Sequence, residues 1–250
     1  MYSRLTVGVY LAAFLSLTPM ARAASPEPVH FRASDGVTVY GAFYSAGNLV
    51  RPLILLFHQA GSNRGEYATI APRLVQAGFD CLAIDQCSGG RMWGRENETV
   101  EHLGRSASYL TAERDLEAAL HWARSVKRKK QVMLWGSSYS ASLVFLVAAR
   151  HPDEVAGVLA FSPGEYFKPK DMVRQAAAKV HVPVYITCGT GAREAANARP
   201  IYEAVASKNK QFYLPKAGVH GSKTLRTDID PAGAGRNWRE VLAFLGKNFG

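Results

Sequence analysis

A chain of 250 residues holds one large domain or two small ones, and an apolar fraction of 48% supports a buried core rather than a disordered chain. The formal net charge of +10 raises the question of a nucleic-acid partner, but no recognition motif accompanies it, and that class is set aside. The basic run Lys127-Arg128-Lys129-Lys130 falls between a helix pattern and a strand pattern, where cations complement a helix C-terminus.

In chain order, the first segment reads as a leader. Arg4 supplies a positive charge, Leu5 to Leu17 is apolar, and Ala21-Arg22-Ala23 has the small-x-small form of a signal-peptidase site. The apolar stretch is short of the roughly 20 residues of a membrane span. Residues 1–23 are therefore expected to be a cleaved secretory signal, leaving residues 24–250 as a single exported domain, secreted or periplasmic, with no stable membrane insertion. The chain has three cysteines, Cys81, Cys87 and Cys188, which is too few for a disulfide framework and leaves one bridge open.

From Val29 the pattern alternates on both sides of Asp35-Gly36, as in a β-hairpin. Six short apolar runs follow: 52–58, 79–85, 131–136, 155–161, 182–189 and 211–215. Most are near-continuous, as strands buried on both faces should be. Helical patterns lie between and after them at 66–77, 107–126, 138–150, 195–207 and 237–248. This alternation predicts an α/β fold, a mostly parallel sheet with helices on both faces. No inserted segment is large enough for a cap domain.

Chemistry concentrates where the third of the six runs meets its helix, at Gly136-Ser137-Ser138-Tyr139-Ser140. A Ser at a sharp strand-to-helix turn needs small residues two before and two after it, because strand and helix nearly touch there. Gly136 and Ser140 meet that demand. The alternative for Ser138 is a helix cap. A serine nucleophile needs a base, and of the downstream histidines His151 and His181 lie at the wrong end of the sheet. His220, in "PKAGVHGS" after the last strand, lies at the carboxyl edge.

The donors for a developing oxyanion are expected to be the backbone N–H groups of Tyr139 and of Gln59 in "FHQAGSN". For the acid, the loop "CGTGAREAAN" offers Glu194 as its first carboxylate, and Glu165 in "FSPGEYF" is the alternative. The long connection from Gln86 to Arg105 is expected to help form the pocket, with Trp93 and Tyr166 as candidate walls for substrate. Asp85, which precedes the nucleophile, is read as a loop-former. No metal site or cofactor motif is evident, and nothing points to an oligomeric state.

The segments "LLFHQAGSN", "GFDCLAIDQCSGG", "LWGSSYSA", "AFSPG" and "GVHGS" together resemble the α/β-hydrolase superfamily, most of all its dienelactone-hydrolase-like branch of small exported serine hydrolases. The resemblance runs from Val29 to Phe249. It implies an eight-stranded, mostly parallel sheet, no cofactor, and cleavage of small esters or lactones through an acyl-enzyme. The chain departs from the branch at three points. Ser138 stands where dienelactone hydrolases use Cys, Cys87 stands where relatives carry Arg, and the acid is displaced to Glu194. Two other readings stay open: a binding protein that keeps the fold without turnover, and an amidase or peptidase using the same triad.

Overall fold

The computed structural model describes residues 25–47 and 50–250; the expected signal segment and its cleavage site lie outside them. β1 (Glu27–Arg32) and β2 (Thr38–Tyr44) form the hairpin. Gly36 takes a left-handed φ of 84° at the turn, and Asp35 accepts the Val37 N–H. The six later strands are β3 (Leu53–Phe57), β4 (Cys81–Asp85), β5 (Val132–Ser137), β6 (Val155–Phe161), β7 (Val184–Thr187) and β8 (Lys210–Tyr213). The sheet has eight strands in the order β1-β2-β4-β3-β5-β6-β7-β8, parallel from β4 through β8 and antiparallel at the β1–β2–β4 edge. This is the expected α/β-hydrolase architecture.

The near-continuous apolar runs have the expected cause. Along β3, Leu53, Leu55 and Phe57 enter one core while Ile54 and Leu56 enter the other. β5 divides in the same way, Val132 and Leu134 against Met133 and Trp135. The first core is closed by α3 (Glu113–Ser125), α4 (Tyr139–Arg150), α5 (Met172–Ala177) and α6 (Ala192–Ala204), the second by α1 (Ala71–Gln76) and α7 (Ala234–Phe249). Among the described residues no helix is long and apolar enough to cross a membrane.

Three local differences from the sequence pattern bear on function. The helix expected from Glu66 is a 3-10 turn, Arg64–Tyr67, followed by α1, which starts only at Ala71 with Pro72 in its first turn. Part of the long Gln86–Arg105 connection is a short helix, α2 (Glu98–Leu103), capped by the Asn97 side chain. α6 begins at Ala192, three residues before the expected start, so Glu194 sits in its first turn rather than in the loop before it.

All three cysteines are free and buried. Cys87, in the arginine's place, donates its backbone N–H to the buried carboxylate of Asp115 at 2.7 Å. Burial pushes the Asp115 carboxyl up to about 6, although the Cys87 hydrogen bonds pull the other way.

Candidate active site

The parallel register sets the ends of β3, β5, β6 and β7 at one edge, with Phe57 paired to Gly136, Gly136 to Ala160, and Ala160 to Ile186. Ser138 follows β5 with φ 60° and ψ −123°, a conformation L-residues avoid, and its N–H donates to Phe161 O at 2.8 Å. A Cβ on Gly136 would lie 2.3 Å from Ser140 O, which is why residue 136 must be glycine. Ser140 does more than keep the crossing small. Its hydroxyl donates to His58 O at 2.6 Å and accepts from Gln86 Nε2 at 2.9 Å, tying α4 to the loops after β3 and β4.

His220 stands in the loop after β8. Its Nε2 is 2.8 Å from Ser138 Oγ and its Nδ1 is 2.6 Å from Glu194 Oε1. The structure therefore brings Ser138, His220 and Glu194 into one hydrogen-bonded chain, in the order of a nucleophile–base–acid triad. The other Glu194 oxygen, Oε2, accepts the Ser162 hydroxyl at 2.7 Å and the Gly189 N–H at 2.8 Å. Burial opposes the Glu194 charge, but the bonds from His220, Ser162 and Gly189 outweigh it and hold the carboxyl at about 2. Glu165 is elsewhere: it accepts the Val173 and Arg174 N–H groups at the start of α5, at 2.9 and 3.0 Å, and pairs with the Arg174 guanidinium.

Ser162 is a site residue that the sequence reading missed. It takes φ 60° at the end of β6, directly beside the nucleophile's strand. Its hydroxyl donates to Glu194 and accepts the Gly221 N–H at 2.9 Å, while its carbonyl accepts the Tyr166 hydroxyl at 3.1 Å. The available signal was Ser162-Pro163-Gly164 directly after a buried strand.

The Gln59 N–H does not fill the role expected of it. It donates to the buried carboxyl of Glu66 at 2.9 Å, because the 3-10 turn carries Glu66 back beneath the loop. The next amide, that of Ala60, donates to no atom among the described residues, and neither does that of Tyr139. His58 is buried and its pKa is lowered by burial. Its Nε2 accepts the Gln86 N–H at 3.0 Å, so its Nδ1 donates to Gln59 O at 2.8 Å. His58 shapes the loop, and none of its ring hydrogen bonds reaches Ser138.

A cleft of about 260 Å³ beside His220 is lined by Ser162, Pro163, Tyr166, Arg193, Glu194 and Asn197. Tyr166 lines this cleft and Trp93 does not: the Trp93 indole N–H donates to Ser62 Oγ at 2.8 Å and its ring lies under the Arg226 guanidinium, 4.2 Å away. Asp85 is a loop-former, accepting from Arg64 and from the Glu98 N–H. Among the described residues no group of three or more His, Cys, Asp or Glu is arranged to hold a metal ion.

Comparison with known proteins agrees with this architecture. The family described as serine aminopeptidase, S33, matches residues 49–181, just over half of the chain. Among solved structures, the dienelactone hydrolase of Anabaena variabilis superposes with a TM-score of 0.69 at 18% identity, covering 91% of this chain and 100% of its own. A Pyrococcus furiosus esterase gives 0.68 at 17%, covering 90% and 93%, and a Bacillus coagulans carboxyl esterase gives 0.67 at 13%, covering 90% and 99%. No curated protein matches the sequence. By fold and by family match, the chain belongs to the serine aminopeptidase S33 family of the α/β-hydrolase superfamily.

Proposed function

We propose that this protein is a serine hydrolase that cleaves small carboxylic esters or lactones through an acyl-enzyme. The observation that carries this reading is the continuous chain Ser138 Oγ–His220 Nε2 at 2.8 Å and His220 Nδ1–Glu194 Oε1 at 2.6 Å. In this mechanism Ser138 attacks the carbonyl carbon as His220 Nε2 takes its proton. Glu194, ionised at neutral pH, accepts the Nδ1–H, holds the ring in that tautomer and stabilises the imidazolium. The unpartnered N–H groups of Ala60 and Tyr139 receive the oxyanion. His220 then protonates the leaving alcohol and activates the water that releases the acid.

A cleft near the small end of ligand pockets favours short substrates. The family description raises aminopeptidase activity, which requires a carboxylate for the substrate's free ammonium group. The one carboxylate lining the cleft, Glu194, already has both oxygens engaged, which favours esters over N-terminal peptides. Export from the cytosol, read from the leader pattern, belongs to the same proposal.

The test is hydrolysis of p-nitrophenyl acetate and butyrate against the matching p-nitroanilides. The expected result is ester turnover well above anilide turnover, with kcat falling by about 10⁵-fold in Ser138→Ala. Equal rates for both substrate types favour the amidase reading. No turnover of either by folded protein favours the binding reading.

A further inference from the structure

The site contains a fully buried carboxyl for which the triad has no use. Glu66 is 0% exposed and its Oε2 accepts the Gln59 N–H at 2.9 Å, while its Oε1 makes no hydrogen bond of full geometry; burial raises its pKa, and the neighbouring Ser137 and Ser62 hydroxyls and the Gln59 N–H only partly oppose that. A fully buried carboxyl whose hydrogen bonds do not offset its burial weakens the fold. Its presence requires a reason other than stability.

Its surroundings supply one. The turn bearing Glu66 is bolted to two other parts of the site. Arg226, six residues after His220, donates from Nη1 to Gly65 O at 3.1 Å and to Glu66 O at 3.2 Å. At the start of the same turn, Asn63 Oδ1 accepts the Gly65 N–H at 2.9 Å while its Nδ2 donates to Gly90 O, Met92 O and Arg95 O. The carboxyl is therefore a fixed point beneath the loop after β3. The bond it makes takes up one amide of that loop, Gln59, and leaves the next one, Ala60, unpartnered. His58 fixes the carbonyl of the same residue through its Nδ1–H, so both polar groups of Gln59's backbone are held by buried side chains. With the N–H on one side of Gln59 and the C=O on the other both held, the two backbone dihedrals of Gln59 are fixed, and with them the direction of the Gln59–Ala60 peptide plane.

We propose that Glu66 is a positioning residue for the oxyanion loop: its carboxyl clamps the Gln59 amide and so fixes the direction of the Ala60 N–H. The proposal rests on the hydrolase reading above. A preorganised donor matters most as charge develops in the transition state, so loss of the clamp lowers kcat more than it raises KM.

The test compares Glu66→Gln, Glu66→Asn and Glu66→Leu on p-nitrophenyl butyrate, with fluorophosphonate labelling of Ser138 as a parallel readout. Gln keeps an oxygen at the same reach for the Gln59 N–H; Asn presents the same amide one methylene short; Leu removes the acceptor. The expected result is a fall in kcat of about 10- to 100-fold for Leu and Asn, with KM changed less than about threefold, and rescue of most of kcat by Gln. Should the Leu variant not fold, the Gln–Asn pair carries the comparison. Equal kcat in Gln and Asn variants overturns the clamp while labelled, active wild-type protein leaves the hydrolase reading intact. Failure of the folded wild type to label or turn over overturns that reading and the clamp with it.

Discussion

Ser138 and Glu194 reach the same imidazole from two differently built regions. Ser138 is placed by backbone: a strained residue at the end of β5, a glycine that leaves no room for a Cβ, and an amide bonded to the neighbouring strand. Glu194 is placed by side chains. It lies in the first turn of α6, on a half-exposed rim, and the Ser162 hydroxyl, the Gly189 N–H and His220 together hold it in place. A position built by the backbone stays at one place in the chain whichever small nucleophile it carries, whereas one held by hydrogen bonds to a side chain can move along the sequence if a longer side chain and new partners follow. This explains how Glu194, the acid in the proposed mechanism, can stand away from the loop where the superfamily pattern leads one to expect it.

The difference can be broken at its rigid side first. Gly136→Ala puts a methyl group against the Ser140 carbonyl, a backbone contact that cannot swing aside. The expected result is loss of soluble folded protein or of essentially all activity, checked by circular dichroism and turnover. A folded, active variant would show that the elbow is less constrained than described. On the flexible side, Glu194→Ala should lower kcat by roughly 10³- to 10⁴-fold, comparable to loss of a triad acid elsewhere. Glu165→Ala should stay within about threefold, because Glu165 caps α5 and does not touch His220. Reversal of that order in steady-state kinetics would place the acid on the other loop.

A further expected effect concerns stability rather than rate and separates the site from the core beneath it. Asp115 has a folded-state pKa raised to about 6 from 3.8, so the fold favours its protonated form. That contribution is fully present below about pH 4 and is lost as pH rises through about 6, amounting to roughly 2–3 kcal/mol. Asp115→Asn should flatten the wild-type decline between those limits, as read by denaturant unfolding at pH 4 and pH 7. Parallel curves for the two proteins would refute it.

How much of this was legible in the sequence follows the same division. The elbow could be read because its constraints are steric and local: small residues at fixed spacing between an apolar run and a helix. His220 could be read from chain order and the edge it occupies. The fold's strands were legible because continuous apolar runs mark strands buried on both faces. By contrast, the roles proposed for Ser162, Glu66 and Ala60 depend on contacts between segments far apart in the chain, which no spacing records. Gln59 was misassigned because nothing local shows that a 3-10 turn brings the Glu66 carboxyl back to its amide. Trp93 was misassigned for a related reason: its aromatic ring suggested a substrate wall, but Ser62 and Arg226 occupy it. Glu194 was found only as one of two candidates, since the helix start that places it lies three residues earlier than the pattern suggested.

The central claim is that Ser138 is an activated nucleophile held by His220. Its most direct test is to incubate the folded protein with a fluorophosphonate probe and map the modified peptide by mass spectrometry. The account predicts one adduct, on Ser138, formed in wild-type protein, absent in Ser138→Ala, and slowed strongly in His220→Ala. An adduct on another residue, or labelling that persists unchanged without Ser138, would contradict it.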